Sequence, residues 1–147
     1  MVDMEILEIL QDKNTSAETL DKYSADENQF VRVRVAAHVN TSAQTLVKLS
    51  KDESEYVREF VAEHHNTPVE TLIELSEDTL VTYWVAGNKN TPVEILNKFS
   101  THEDENIRAS VAVNPNTPAQ TLAKLSEDEN EDVRAAVAKN PSKIAEV

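Results

Sequence analysis

The sequence predicts an all-α chain, a solenoid of about five two-helix repeats of 24–26 residues, and three observations carry that prediction. The tripeptide Asn-Thr-Ser or Asn-Thr-Pro recurs at Asn14, Asn40, Asn66, Asn90 and Asn116, at intervals of 26, 26, 24 and 26 residues. Apolar residues between these marks fall three or four apart, the spacing that lines one helix face. Glycine occurs once, at Gly87, whereas hairpins and phosphate-cradling loops need residues that tolerate positive φ.

Each segment then has a reason. Residues 1–13, with "MEILEIL", read as a capping helix whose acidic residues face outward. Five units follow at 14–39, 40–65, 66–89, 90–115 and 116–141, and a half-repeat cut short at 142–147 ends the chain. The first helix of a unit is expected to open with Thr as N-cap and Glu or Gln three residues on, a capping box satisfied by Thr15, Thr41, Thr67, Thr91 and Thr117. Its core stripe is Leu20 and Tyr23 in the first unit, then Leu46 and Leu49, Leu72 and Leu75, Leu96 and Phe99, Leu122 and Leu125. After an acidic turn the second helix presents Val31 and Val35, Val57 and Val61, Val81 and Val85, Ile107 and Val111, Val133 and Val137. Alanine follows each pair, and then Asn or His ends the helix. Neither helix can bury its stripe alone, so the units must stack.

Laid over one another, the units share V-R-x-x-V-A-x-N-P-N-T-P-x-x-T-L-x-x-L-S, with single positions varying from unit to unit. This pattern resembles the leucine-rich repeat variant family of short bacterial repeats, a HEAT-like solenoid, from about Asn14 to Pro141. The resemblance implies a right-handed superhelix without strands, in which one helix of each pair is tightened to 3₁₀ geometry. An iron–sulfur segment precedes the repeats in some members. It cannot be carried over, because this chain has no cysteine.

Composition excludes several functions. With no Cys there are no disulfides, thiolate metal sites or cysteine nucleophiles. A net charge of −13 over 147 residues argues against direct binding of nucleic acid or an anionic membrane, and permits a basic protein partner. An acidic start without a basic signal region and the lack of a long apolar run point to a cytoplasmic protein. His38 and His64 stand where Asn88, Asn114 and Asn140 stand in other units, which assigns them to helix termination rather than to a metal. No nucleophile elbow surrounds the recurrent Ser24, Ser50, Ser76, Ser100 and Ser126. No catalytic residue, cofactor or metal is expected, and the chain reads as a non-enzymatic binding module.

The candidate sites are therefore surfaces. Asn14, Asn40, Asn66, Asn90 and Asn116 are expected to form a buried ladder to the backbone, and Arg32, Arg58, Arg108 and Arg134 an ion-pair ladder with acidic turns. Asp52, Glu53, Asp78, Glu103, Asp104, Asp128 and Glu129 would lie along one acidic edge. That edge is either a solvated margin, or a ridge that engages a basic protein or mimics nucleic acid as an antagonist of a nucleic-acid-binding protein. Unit three departs most: it is two residues short, has Thr82 in place of arginine, and places Tyr83 beside the only tryptophan, Trp84. With Glu59 and Phe60 of unit two, these residues are a candidate partner-binding patch, or else compensation for the deletion. The shortened C-terminal unit leaves apolar surface through which copies could associate end to end.

Overall fold

The computed structural model describes residues 1–142 and contains eleven α-helices and no strand among them. Helix α1 (Met4–Gln11) is followed by five pairs. The first members are α2 (Ala17–Tyr23), α4 (Ala43–Leu49), α6 (Val69–Leu75), α8 (Val93–Phe99) and α10 (Ala119–Leu125). The second members are α3 (Gln29–Ala37), α5 (Glu55–Glu63), α7 (Thr82–Gly87), α9 (Glu105–Val113) and α11 (Glu131–Ala138). Second helices pack side by side in chain order, α3 on α5, α5 on α7, α7 on α9 and α9 on α11, each with its own first helix beside it. This is an α-solenoid. Both members of each pair are α-helical, so the 3₁₀ tightening implied by the resemblance is not found among the described residues. Of the expected half-repeat over 142–147 only Ser142 is described; the rest, and the end face proposed for self-association, lie outside the described residues.

The core is the one that the periodicity predicts. Leu20, Leu46, Leu72, Leu96 and Leu122 are at most 1% exposed, and Leu20, Leu46, Leu96 and Leu122 share one core with the apolar pairs of the second helices. Ala36, Ala62, Ala86 and Ala112 are fully buried, which lets adjacent second helices approach closely. Leu72→Ala would cost about 2–5 kcal/mol, because the neighbouring units hold the cavity open.

Helix starts differ from the expected capping box. The N-cap is one residue later, at Ser16, Ser42, Pro68, Pro92 and Pro118, and only the two serines cap with a side chain, accepting from the N–H of Thr19 and Thr45. The threonines are buried instead. Thr15 Oγ1 donates to the Ile9 carbonyl. Thr41, Thr67, Thr91 and Thr117 donate to the carbonyls of Val35, Val61, Val85 and Val111 at 2.5–2.7 Å. Each of these carbonyls already accepts from the N–H three residues on, and the hydroxyl adds a second bond that ties the next unit's start to the preceding helix end.

No described residue has positive φ, Gly87 included. Turns are closed by side chains in ordinary backbone conformations. The carboxylates of Asp26, Asp52, Asp78 and Asp128 each accept from the N–H two residues on, at 2.8–3.0 Å. Ser24, Ser50, Ser76, Ser100 and Ser126 donate to the carbonyl three residues back, ending the first helices.

Candidate functional site

Two polar systems join the units, and they decide which polar residues remain for a partner. The first is a buried column at His38, His64, Asn88, Asn114 and Asn140, each at most 7% exposed. Asn88, Asn114 and Asn140 each donate through Nδ2 to two carbonyls of the preceding unit, and Oδ1 accepts from the N–H two residues on. His38 Nε2 lies 2.9 Å from the Asp12 carbonyl and His64 Nε2 lies 2.9 Å from the His38 carbonyl. The expected asparagine ladder is thereby corrected. Asn14, Asn40, Asn66 and Asn116 are exposed and Asn90 is half-buried. Asn40, Asn66, Asn90 and Asn116 form an outer row that donates to the preceding unit's backbone, while the buried ladder lies two residues earlier. Asn14 takes part only through its N–H, which donates to Asp12 Oδ1.

The second system is the arginine clamp. Arg32 and Arg108 each donate twice to one carboxylate of the next unit, Asp52 and Asp128, at 2.7–3.1 Å. Arg58 reaches Asp78 through Nε at 2.7 Å. Nη1 of each arginine donates to two carbonyls of its own turn, as in Arg32 to Asp26 and Glu27. Arg134 Nη1 donates to the Asp128 carbonyl. Burial alone would raise the Asp52 carboxyl, but the Arg32 guanidinium and the Ser54 N–H outweigh it and hold the group below the usual range. The Arg108 guanidinium lowers Asp128 in the same way.

The clamp is missing between units three and four, where both partners are changed together. Thr82 replaces the arginine, and His102, 20 residues on, replaces the aspartate. The two-residue deletion brings the Asp78 carbonyl within one helical turn of Thr82, whose Oγ1 donates to it at 3.2 Å. His102 Nδ1 accepts from the Asp104 N–H at 3.0 Å and so keeps the turn that an aspartate closes elsewhere. Close helix approach holds this junction: Ser110 Oγ donates to the Tyr83 carbonyl at 3.3 Å, and a Cβ on Gly87 would lie 3.3 Å from Ser110 Oγ.

Outward-facing residues of the second helices form a strip. On α3 it carries Phe30, Val33 and Arg34; on α5, Tyr56, Glu59 and Phe60; at α7, Leu80, Tyr83 and Trp84. Phe30, Tyr56, Leu80 and Tyr83 are 65%, 56%, 58% and 48% exposed. In α9 and α11 the same positions hold Asn106, Ala109 and the buried Ser110, then Asp132, Ala135 and the buried Ala136, so the strip's aromatic residues are confined to units one to three. Of the sequence candidates, Tyr83 and Phe60 are on the surface, Glu59 and Trp84 are half-buried, and Tyr83 meets Trp84 edge to face at 5.1 Å. Thr82 is 5% exposed and faces inward, which removes it from any contact surface. Phe30 and Tyr56 were missed by the sequence reading, although each directly precedes a core valine and so points away from the core.

The acidic edge divides. Asp52, Asp78 and Asp128 are occupied by arginines, and Asp104 caps α9 by accepting from the Asn106 N–H. Glu53, Glu103 and Glu129 are exposed, with Glu53 only 3.8 Å from Arg32 Nη2. Among the described residues no group of three or more His, Cys, Asp or Glu is placed to hold a metal ion, and no helix is long and apolar enough to cross a membrane.

No protein-family model matches the sequence, and no curated protein matches it. Among solved structures it is similar to a protein described as a leucine-rich repeat variant with a novel repetitive structural motif, at 25% identity and a TM-score of 0.62. The likeness covers 89% of this chain and 55% of that one, so the chain spans about half the length of the structure that it matches.

Proposed function

We propose, from the leucine-rich-repeat-variant fold as premise, that the chain is a non-enzymatic protein-interaction module whose aromatic strip grips a basic protein segment. The observation that carries this reading is the set of exposed aromatics on adjacent helices beside carboxylates that no clamp occupies. Tyr56, Phe60 and Tyr83 offer rigid apolar contact area, the kind that dominates interface energetics. Glu55, Glu59 and Glu63 flank them on α5 and favour lysine or arginine on the partner. Polar side chains buried in the described residues all have partners, so the fold itself leaves none waiting for a substrate. Nucleic-acid mimicry is the weaker reading, because the most regular carboxylates of the edge, Asp52, Asp78 and Asp128, serve the clamps. The same proposal sets the module in a bacterial cytoplasm, a reading supported by its resemblance to short bacterial repeats.

Cross-linking and mass spectrometry in native extract, followed by affinity measurement on the recovered partner, tests the reading. Phe60→Ala with Tyr83→Ala should weaken binding about tenfold or more. Charge reversal at Glu103 and Glu129, away from the strip, should change it little. The opposite pattern would establish the polyanion mimic.

A further inference from the structure

The buried column joining the units is chemically of two kinds. At Asn88, Asn114 and Asn140 an amide supplies both roles, donating through Nδ2 to the preceding unit and accepting at Oδ1 from the N–H two residues on. At His38 and His64 an imidazole does the same work. Its Nε2 faces a carbonyl, which can only accept, at 2.9 Å in both cases. Its Nδ1 faces the N–H of Asn40 or Asn66, which can only donate, at 3.1 and 3.0 Å. These partners require one neutral tautomer, protonated at Nε2. A second proton must go onto Nδ1, where it would meet an N–H head on, in a site 6–7% exposed. Amide rungs have no such titration.

We propose that the two histidine rungs make the start of the stack acid-releasable: protonation of His38 and His64 unlatches α1 from unit one and unit one from unit two, while the asparagine-runged units stay packed. The helices concerned, α3 and α5, carry Phe30, Tyr56 and Phe60, so the aromatic strip is drawn largely from the acid-responsive part. The device itself does not depend on what that strip binds.

Charged and titratable groups stand around both rings. His65 stacks on His64 at 4.5 Å, and Glu63 lines the same groove with Phe60 and Val39. Around His38 are Lys13 from the loop after α1 and Arg34 from α3. The neighbour of His64 in the following unit is the neutral Asn88. The hydrogen bond to the His38 carbonyl favours a charged His64 ring, while the charges of His65 and His38 oppose one. Burial, more than any of these, pushes His64 below the ordinary histidine value. A released His64 ring keeps its usual pKa of about 6.5, so at this rung the unlatched state gains protons first as pH falls, and the latch weakens below about pH 6.5. Asp52 and Asp128, lowered by their arginines, remain charged there, which separates the histidine window from general acid unfolding.

Amide hydrogen exchange read by mass spectrometry on the full chain at about pH 7.5 and 5.5, corrected for intrinsic rates, tests this. Protection in α1–α5 should fall by up to about tenfold per histidine at the lower pH, with α8–α11 unchanged. Substituting His38→Asn and His64→Asn, the residue the other units use, should abolish the difference. His65 and His102 remain in that variant as internal controls. Loss of protection that begins in α8–α11, is uniform along the chain, or persists undiminished in the double variant would overturn the proposal. Should that variant fold poorly, the wild-type regional pattern and the imidazole nitrogen shifts still decide: a ring not protonated at Nε2 at pH 7.5 refutes the latch.

Discussion

At the scale of single residues, the molecule is held by side chains that each serve two backbones. Asn114 is 1% exposed and donates to the carbonyls of Ala86 and Asn88 while accepting from the Asn116 N–H. Asn114→Ala removes three bonds and leaves buried groups unsatisfied on both sides of a junction, at a cost of about 2–4 kcal/mol. Urea unfolding followed by circular dichroism would show the midpoint falling; a loss below about 1 kcal/mol would mean that the ladder is not structural. Residues of this kind explain what could be read from the sequence. Recurrence announced that an Asn-Thr pair mattered, yet the same two letters fit a cap or a clamp. Thr41 became a clamp because a carbonyl of the preceding helix end lies within reach of its hydroxyl, which only the stacked structure provides. His38 and His64 looked like irregular asparagines, and in geometry they are.

Among elements, α7 shows how a lost interaction is absorbed. It has six residues where α5 and α9 have nine, and its N-cap, Val81, makes no side-chain cap bond. The deletion removes the turn that an arginine would span, so arginine and its aspartate are both absent and no charge is stranded. That logic can be tested where the clamp is intact. Arg32→Thr alone leaves the half-buried Asp52 without its cation, and Asp52→His alone leaves the buried Arg32 with only its turn carbonyls and the more distant Glu53, each costing about 2–4 kcal/mol. Together they should cost less than the sum, with a coupling of about 1 kcal/mol or more in a double-mutant cycle read by chemical denaturation. Strict additivity would show that the pair at positions 82 and 102 is coincidental. The sequence exposed this irregularity at once, but read Thr82 as surface, although it holds the register of Arg32 and Arg108, which burial shows to be an inward one.

As a whole molecule the chain is strongly self-repelling. Its net charge of −13 reflects 27 acidic residues against 14 lysines and arginines along the stack. Screening should therefore stabilise it: raising sodium chloride from about 10 mM to 150 mM shortens the Debye length from about 30 to 8 Å and should raise the Tm by several degrees. A Tm that falls over this range, measured by circular dichroism, would mean that the ion pairs outweigh the repulsion. Solenoid architecture, repeat length and core were legible from spacing alone, since Leu20, Leu46, Leu72, Leu96 and Leu122 declare themselves by period. The aromatic strip was only half legible. Tyr83 and Trp84 stood out by rarity, while Phe30 and Tyr56 became visible once α3 and α5 lay side by side.

The buried rungs and the arginine clamps point in opposite directions along the chain. Each Asn or His donates to backbone made 24–28 residues earlier, whereas each clamping arginine waits for a carboxylate 20 residues later. A unit leaving the ribosome can thus dock onto its predecessor with what it already holds, and is then locked by its successor. Folding can follow synthesis from the N-terminus, one unit behind the growing end, with no contact that must await the whole chain.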